Sequence, residues 1–315
     1  MQMNFELQIV LQRLLLPAVC SVIGCFILTR TDPGEERNDN EPIRGIVFQT
    51  LLGAFLCAIG MICSDLWQRG IIAKPDEWWK WQASYQWQWM VWMIPGSMVI
   101  MALSRTLFAI PIHYAALAGF VTATLAICVL FVCLNQGTVW DDQKVKWLPW
   151  MAASCLAIMW NIASLNSIAK SGGSRWVSLS VLGQLGCVAA ITFQSYASLG
   201  EWALAGIGVA AGASLVGVIA GSKAKLHFGW PLSTVVVPLA IMAVACLAVS
   251  SFFQSRPLPI GVIGSVLFLP TLVGFVDFVF GRTANPWFRV FLATSVCCLV
   301  LGGVFYFAKL WQSEW

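Results

Sequence analysis

Residues 202–221 have the sequence WALAGIGVAAGASLVGVIAG, which contains no charged side chain. A helix of about 20 apolar residues is long enough to cross the hydrocarbon core of a bilayer. Inside that core every backbone N–H and C=O must be bonded within the protein, and a helix achieves this by itself. The stretch therefore predicts a membrane-spanning α-helix.

Similar apolar windows recur along the whole chain. They lie near 8–29, 45–63, 89–104, 113–134, 147–168, 176–197, 202–221, 232–253, 260–280 and 288–308. The connectors between them are too short to bury a core of their own. The sequence therefore predicts an all-α, polytopic transmembrane helix bundle of about ten spans, with residues 1–315 as one integral membrane domain. Ten spans would divide into two five-helix halves, an arrangement typical of inverted repeats.

Composition narrows the class of protein. The chain is 59% hydrophobic and only 10% charged, whereas a soluble domain is nearer a quarter charged. The lipid bilayer is therefore the expected partner. A net charge of +4 is too small to indicate a nucleic-acid surface, so no nucleic-acid partner is expected. The eleven cysteines lie mostly in apolar runs without a CxxC motif, which is typical of small buried side chains.

The distribution of positive charge predicts the orientation. With ten spans, the side opposite the two termini carries the small majority of the Lys and Arg residues. Because positive residues favour the cytoplasm, both termini are predicted outside. The sequence has no N-x-S/T sequon, which is compatible with a bacterial inner (cytoplasmic) membrane.

A Trp-rich segment at 64–88 precedes the third window. If it continues as a helix after Pro75, one aromatic stripe forms at steps of three and four residues, made of Trp78, Trp81, Tyr85, Trp89 and Trp92. Such a stripe is typical of a helix that lies along the lipid headgroups. The alternative is a surface that stacks on a sugar, a quinone or a cationic headgroup.

Few polar residues fall inside the windows, and these are the candidates for a polar path. Asp277 is the only acidic residue within the windows, and an ionisable group at membrane depth is a functional hypothesis by default. Pro270 and Gly274 precede it, so a kink there would free backbone carbonyls. The remaining candidates are Asn161, Asn166, Gln184 and Arg13. For Arg13 we expect a side chain that reaches the interface; the alternative is a partner for Asp277 or for a substrate anion.

Small residues predict close helix packing in the seventh window. Gly208 and Gly212 form one pair at a spacing of four, and Gly217 and Gly221 form another. This spacing lets two helix backbones approach closely. The partner is expected to be another helix of the same chain, although a homo- or hetero-oligomer is the alternative.

Motifs for catalysis are missing. The sequence contains no HExxH, G-x-S-x-G, Walker A or haem-attachment motif, so no catalytic residue, cofactor or metal site is predicted. Two function classes stay open. The first is a permease-like transporter of an unknown small molecule. The second is a non-transporting component, namely a scaffold, an assembly subunit or a lipid-handling factor.

Overall fold

The computed structural model describes residues 9–29, 43–68, 86–107, 114–134, 140–172, 174–195, 197–220, 232–253, 259–280 and 285–313. Almost all of these residues are helical, and none of them lies in a strand. The all-α prediction is therefore confirmed for the described part of the chain.

Eleven α-helices follow one another in the described ranges. A π-helical segment, Val10–Leu15, leads into the first of them, and a short 3-10 segment, Gln86–Trp89, leads into the third. The helices are α1 (Leu16–Thr29), α2 (Ile43–Gln68), α3 (Met90–Leu107), α4 (Tyr114–Leu134), α5 (Trp140–Gly172), α6 (Ser174–Ser195), α7 (Ala197–Ala220), α8 (Ser233–Phe253), α9 (Ile260–Leu267), α10 (Leu269–Phe280) and α11 (Pro286–Ser313).

Six helices are long and apolar enough to cross a membrane, and the count becomes seven if the bent pair α9–α10 forms one span. The prediction of about ten spans goes beyond this number. Its third, fourth and sixth windows coincide with α3, α4 and α6, whose apolar stretches are shorter, at Met90–Ser104, Gly119–Leu134 and Val177–Phe193. At a rise of 1.5 Å per residue, these stretches fall short of a hydrocarbon core of about 30 Å, although the helices that contain them are longer.

Helix α8 lies at the centre of the bundle, where it packs against α3, α4, α5, α6 and α7. Its apolar span is 94% buried, whereas the span in α11 is only 11% buried. Both sequences are almost continuously apolar. The first fills the protein core, and the second presents its side chains outward, where a bilayer would solvate them.

Glycines allow α1 and α2 to pack closely. A Cβ atom on Gly24 would lie 2.5 Å from the carbonyl oxygen of Gly53, and one on Gly53 would lie 2.7 Å from that of Gly24. The two backbones therefore touch directly. Beside this contact, the thiols of Cys25 and Cys57 are 4.0 Å apart. All described cysteines are free thiols.

Helix α7 packs against α1 next to α2, which it also contacts. A Cβ atom on Gly208 would lie 2.5 Å from the carbonyl oxygen of Leu14, and one on Gly212 would lie 2.7 Å from that of Ala18. The Ser21 hydroxyl donates to the Val209 carbonyl at 2.8 Å. This close contact is within one chain. Gly217 is also buried, and Gly221 lies outside the described residues.

The pair α9–α10 is bent by 52°. The bend surrounds Phe268, and Pro270 lies in the first turn of α10. Proline has no N–H to donate, and its ring clashes with the preceding turn, so the helix cannot continue straight through this point.

Candidate functional site

The described bundle contains a buried cluster of charged residues at the end where α1 begins. Arg13 Nη2 donates to Asp65 Oδ1 at 3.1 Å. The same nitrogen lies 3.9 Å from Glu201 Oε2, which makes a second, looser ion pair. The side chains of Arg13 and Asp65 are 5% and 2% exposed, and that of Glu201 is 18% exposed. One guanidinium is therefore shared between carboxylates from two other helices.

Local structure explains how these three side chains meet. Arg13 belongs to the π-helical segment just before Pro17, where the Leu16 N–H bonds to the Leu11 carbonyl. Because Pro17 has no N–H to return to the carbonyl of Arg13, an ordinary α-helical turn cannot close there. Widened turns of this kind are frequent at functional sites. Asp65 lies in the last turn of α2, and Glu201 lies near the start of α7.

Each charge in this cluster is stabilised by a charge of opposite sign. Asp65 lies at the negative end of the α2 dipole, which disfavours a carboxylate there, and Arg13 offsets this. Taking charges out of water costs several kcal/mol per ion after relaxation, on the order of what the pairing returns. The cluster is therefore a poor device for stability alone, and it is the first candidate site.

Arg13 differs from the prediction made for it. We expected a side chain that reaches the interface, but Arg13 is 4% exposed and turns into the bundle. The alternative partner, Asp277, lies in α10, and its side chain is outside the part that the structure describes. The structure places Asp65 and Glu201 within ion-pair distance of Arg13.

Asp65 and Glu201 were missed because of where the apolar windows end. The second window stops at residue 63 and the seventh starts at 202, whereas α2 continues to Gln68 and α7 begins at Ala197. Asp277 is therefore not the only acidic residue within the membrane-capable helices. The signal was present in the sequence, since apolar Leu66 and Trp67 follow Asp65 and extend the helical pattern.

Two further polar groups next to the acids are buried without a hydrogen bond. They are the Ser64 hydroxyl, beside Asp65 in the chain, and the Trp202 indole N–H, beside Glu201. Trp202 is 1% exposed, so its indole lies inside the bundle. It is one of the largest side chains buried in the described bundle.

A second, neutral cluster lies at the α9–α10 bend. Gln184 Nε2, from α6, donates to Asn161 Oδ1 at 3.1 Å and to the Val266 carbonyl at 3.2 Å. Asn161 in turn donates to the Ala157 carbonyl at 3.0 Å. In a continuous helix the N–H of residue 270 would bond to Val266, and Pro270 removes it. Gln184 supplies the missing donor from a neighbouring helix.

Helix α10 is also tied to α5 one turn beyond the bend. Trp160 Nε1 donates to Thr271 Oγ1 at 3.0 Å, and the hydroxyls of Ser164 and Thr271 are 2.9 Å apart. Gly274 lets α10 approach Ile168, since a Cβ on this glycine would lie 3.0 Å from Ile168 Cγ1. Asn166 is half-buried on the same helix as Asn161.

The predicted polar path thus divides into two places in the described structure. Asn161, Gln184 and Pro270 meet at the helix bend. Arg13 belongs to the charged cluster. No group of three or more His, Cys, Asp or Glu residues that could hold a metal ion occurs in the ranges that the structure describes.

The predicted aromatic stripe is described only in part. Trp89 and Trp92 are 43% and 37% exposed at the start of α3. Trp78, Trp81 and Tyr85 lie outside the described residues. Of the predicted Trp-rich segment, residues 64–68 belong to α2 and 86–88 to the 3-10 turn.

An apolar groove of about 200 Å³ lies between α5, α8 and α9. Trp150 and Ile260 line it, as do Ser154 and Ser251, and the Ser251 hydroxyl is buried without a hydrogen-bond partner. The rings of Trp150 and Phe252 meet edge to face, with centroids 6.5 Å apart.

Comparison of the chain with family models, with curated proteins and with solved structures finds no match.

Proposed function

We propose that this chain is a permease-like transporter of a small solute, with Arg13, Asp65 and Glu201 as the polar contact that changes during transport. The observation that carries the proposal is the sharing of one buried guanidinium between two helices. Ionisable residues inside membrane-spanning helices are costly and commonly mark ion or substrate pathways.

The two ion pairs are unequal, and this supports a contact that can change. Asp65 is hydrogen-bonded to Arg13 at 3.1 Å, whereas Glu201 is 3.9 Å away and more exposed. A solute that competes for Arg13 or for Glu201 needs to displace only the looser pair. Because Arg13 is paired with α2 through Asp65 and with α7 through Glu201, exchange of partners by Arg13 would couple binding to movement of one helix against another.

The proposal includes ten membrane crossings. The six long helices and the bent pair would supply seven, and α3, α4 and α6, whose apolar stretches are shorter, would supply the others. Their described lengths leave room for extension by neighbouring residues. We place the protein in a bacterial inner membrane with both termini outside, in accordance with its positive charges.

A release assay tests the transport proposal even while the substrate is unidentified. Proteoliposomes are loaded with a defined mixture of amino acids, polyamines, sugars, nucleosides and organic anions, then diluted, and retained solutes are measured by mass spectrometry. We expect one solute class to leave liposomes with the native protein faster than liposomes with Asp65→Asn. Equal retention by native, Asp65→Asn and protein-free liposomes would contradict transport. Thr271→Val, which leaves the charged cluster intact, is the control variant.

A lipid-handling role is the second candidate, and the apolar groove favours it. A groove lined by apolar side chains with one buried hydroxyl at Ser251 suits an acyl chain. Native mass spectrometry of protein extracted with bilayer lipids would test this. Retention of one lipid that Ala157→Phe, a change within the groove lining, displaces would favour this function over transport.

A further inference from the structure

The acceptor oxygen of Gln184, Oε1, is fully buried and has no hydrogen-bond partner. The amide nitrogen of the same side chain, Nε2, donates to two oxygens. The reverse assignment of the amide is worse, because Oε1 would then face the oxygens of Asn161 and Val266 with no proton between them. An unsatisfied buried acceptor destabilises the folded state. The bend therefore holds an amide whose hydrogen bonding is incomplete.

The bent helix favours positive charge at the same place. The C-terminal end of α9 lies at the bend, next to Val266. A helix C-terminus carries partial negative charge on its free carbonyls, which attracts cations. In transporters with broken helices, unwound carbonyls and the C-terminal ends of half-helices coordinate cations.

We propose that Gln184, Asn161 and the carbonyl of Val266 form a binding site for one monovalent alkali cation, with Na⁺ as its probe. In the conformation of the structure, the Gln184 NH₂ group occupies the position between the other two oxygens. Rotation of the terminal amide by half a turn places Oε1 there instead, about 3.1 Å from Asn161 Oδ1 and 3.2 Å from the Val266 carbonyl oxygen, so that one cation beside Oε1 can contact all three oxygens. Terminal amide torsions have broad, two-fold preferences, so this rotation keeps the side chain in an allowed conformation.

The chemistry of the three oxygens selects the ion class. Amide and backbone carbonyl oxygens are hard ligands, unlike the thiolate and imidazole ligands that suit soft or transition metals. All three are neutral, whereas divalent Ca²⁺ and Mg²⁺ sites recruit carboxylates. A singly charged ion places the least uncompensated charge in the buried site.

Binding of Na⁺ at this site does not depend on the transport proposal. A role for Na⁺ as the coupling ion of transport does rest on that proposal. Thermal unfolding of the protein in nanodiscs, with NaCl exchanged for choline chloride at constant ionic strength, measures binding directly. We expect Na⁺ at roughly a hundredfold excess over its Kd to raise the unfolding midpoint by about 2 °C or more. Equal midpoints in the two salts would overturn the proposal.

Three variants assign the effect to this site. Gln184→Leu should lose the Na⁺-dependent shift. Pro270→Ala should lose most of it, because the restored N–H takes the Val266 carbonyl and the helix gains a bond, which also favours folding. Thr271→Val, one residue after Pro270, should keep the full shift. A full shift in either Gln184→Leu or Pro270→Ala overturns the assignment, and Pro270→Ala decides it if Gln184→Leu does not fold.

The two proposals fail separately. A variant with Arg13→Met, Asp65→Leu and Glu201→Gln should keep the Na⁺-dependent shift, because the charged cluster is separate from the bend. If Na⁺ has no effect but solute release depends on Asp65, the cation site is wrong and transport stands. If Na⁺ binds but release does not depend on Asp65, the cation site stands and the charged cluster loses its assigned role.

Discussion

The charged cluster and the helix bend bury polar groups in opposite ways. At the start of α1, full charges from three helices meet, and Arg13 is shared between Asp65 and Glu201. At the bend, neutral amides repair a backbone that Pro270 has interrupted, and Gln184 stands in for the lost N–H. In the charged cluster the side chains are the groups that need partners. At the bend the group that needs a partner is a backbone carbonyl.

This difference separates what each place contributes. With another residue at position 270, the backbone N–H would bond to the Val266 carbonyl and no side-chain donor would be needed there. The hydrogen-bond network at the bend is therefore explained by the helix break. The charges have no such reason, because apolar residues would fill the same space without a desolvation cost. The charged cluster is therefore the stronger indication of function, and the network at the bend is explained by Pro270.

Asp65→Leu should have the largest effect on stability. It leaves the Arg13 guanidinium buried, with the Glu201 carboxylate 3.9 Å away. Removal of one partner from a buried ion pair costs about 3–5 kcal/mol. The measurement is the free energy of unfolding in mixed micelles. Glu201→Gln is the matched comparison and should cost less, because that carboxylate is farther away and partly exposed; equal losses would show that the two pairs are equivalent.

Gly24→Ala should have the next largest effect and concerns the helix contacts that hold the charged cluster together. The new methyl would lie 2.5 Å from the Gly53 carbonyl oxygen, so α1 and α2 must separate. Overpacking of this kind costs about 1–3 kcal/mol. Gly302→Ala is the control, since nothing lies within 4 Å of a Cβ there. Thermal unfolding in nanodiscs should show a lower unfolding midpoint only for Gly24→Ala. A similar decrease in both variants would show that the contact between α1 and α2 at Gly24 is not specific.

Gln184→Leu tests the repair at the bend. The Val266 carbonyl then loses its donor from α6, and a buried unsatisfied group costs about 1–3 kcal/mol. Hydrogen bonds between membrane helices average only about 0.6 kcal/mol, so we expect a loss near the lower limit. Combination with Pro270→Ala should remove the part of the penalty that comes from Val266, because the backbone again supplies its donor, whereas Asn161 Oδ1 stays without its donor from Gln184. Additive effects in this double-mutant cycle would disprove the compensation.

Thr271→Val should have the smallest effect. It removes the hydrogen bond that Trp160 donates and the hydrogen bond shared with the Ser164 hydroxyl, but it keeps the shape of the side chain. We expect a loss of about 0.6 kcal/mol, the average for such bonds between membrane helices. The free energy of unfolding is again the measure. A loss as large as that of Asp65→Leu would mean that the bend, not the charged cluster, holds the costliest polar contacts.

Hydropathy predicted the helices well but not their places in the bundle. The spans in α8 and α11 have mean hydropathies of 2.5 and 2.2, yet one is 94% buried and the other 11%. In a soluble protein these two would differ strongly in sequence. In a bilayer the surroundings are as apolar as the core, so sequence polarity does not distinguish inward from outward faces.

The neutral cluster was partly predictable from the sequence, whereas of the charged cluster only the extension of α2 over Asp65 was. Pro270 marks a break in any helix, and amides such as Asn161 and Gln184 inside apolar windows indicate bonds between helices. For Arg13, the sequence offered no means to choose its partners. Asp65 and Glu201 lie beyond the ends of the apolar windows, and only the packing of three helices places them around one guanidinium.

The most direct test of the central claim is the solute release assay on the variant with Arg13→Met, Asp65→Leu and Glu201→Gln. Because this variant removes all three charges together, none of the three is left buried without its partner, and we expect a thermal unfolding midpoint at least equal to that of the native protein. If the cluster serves transport, the folded variant should retain the solute class that the native protein releases, as protein-free liposomes do. Release at the native rate by the folded variant would contradict the account.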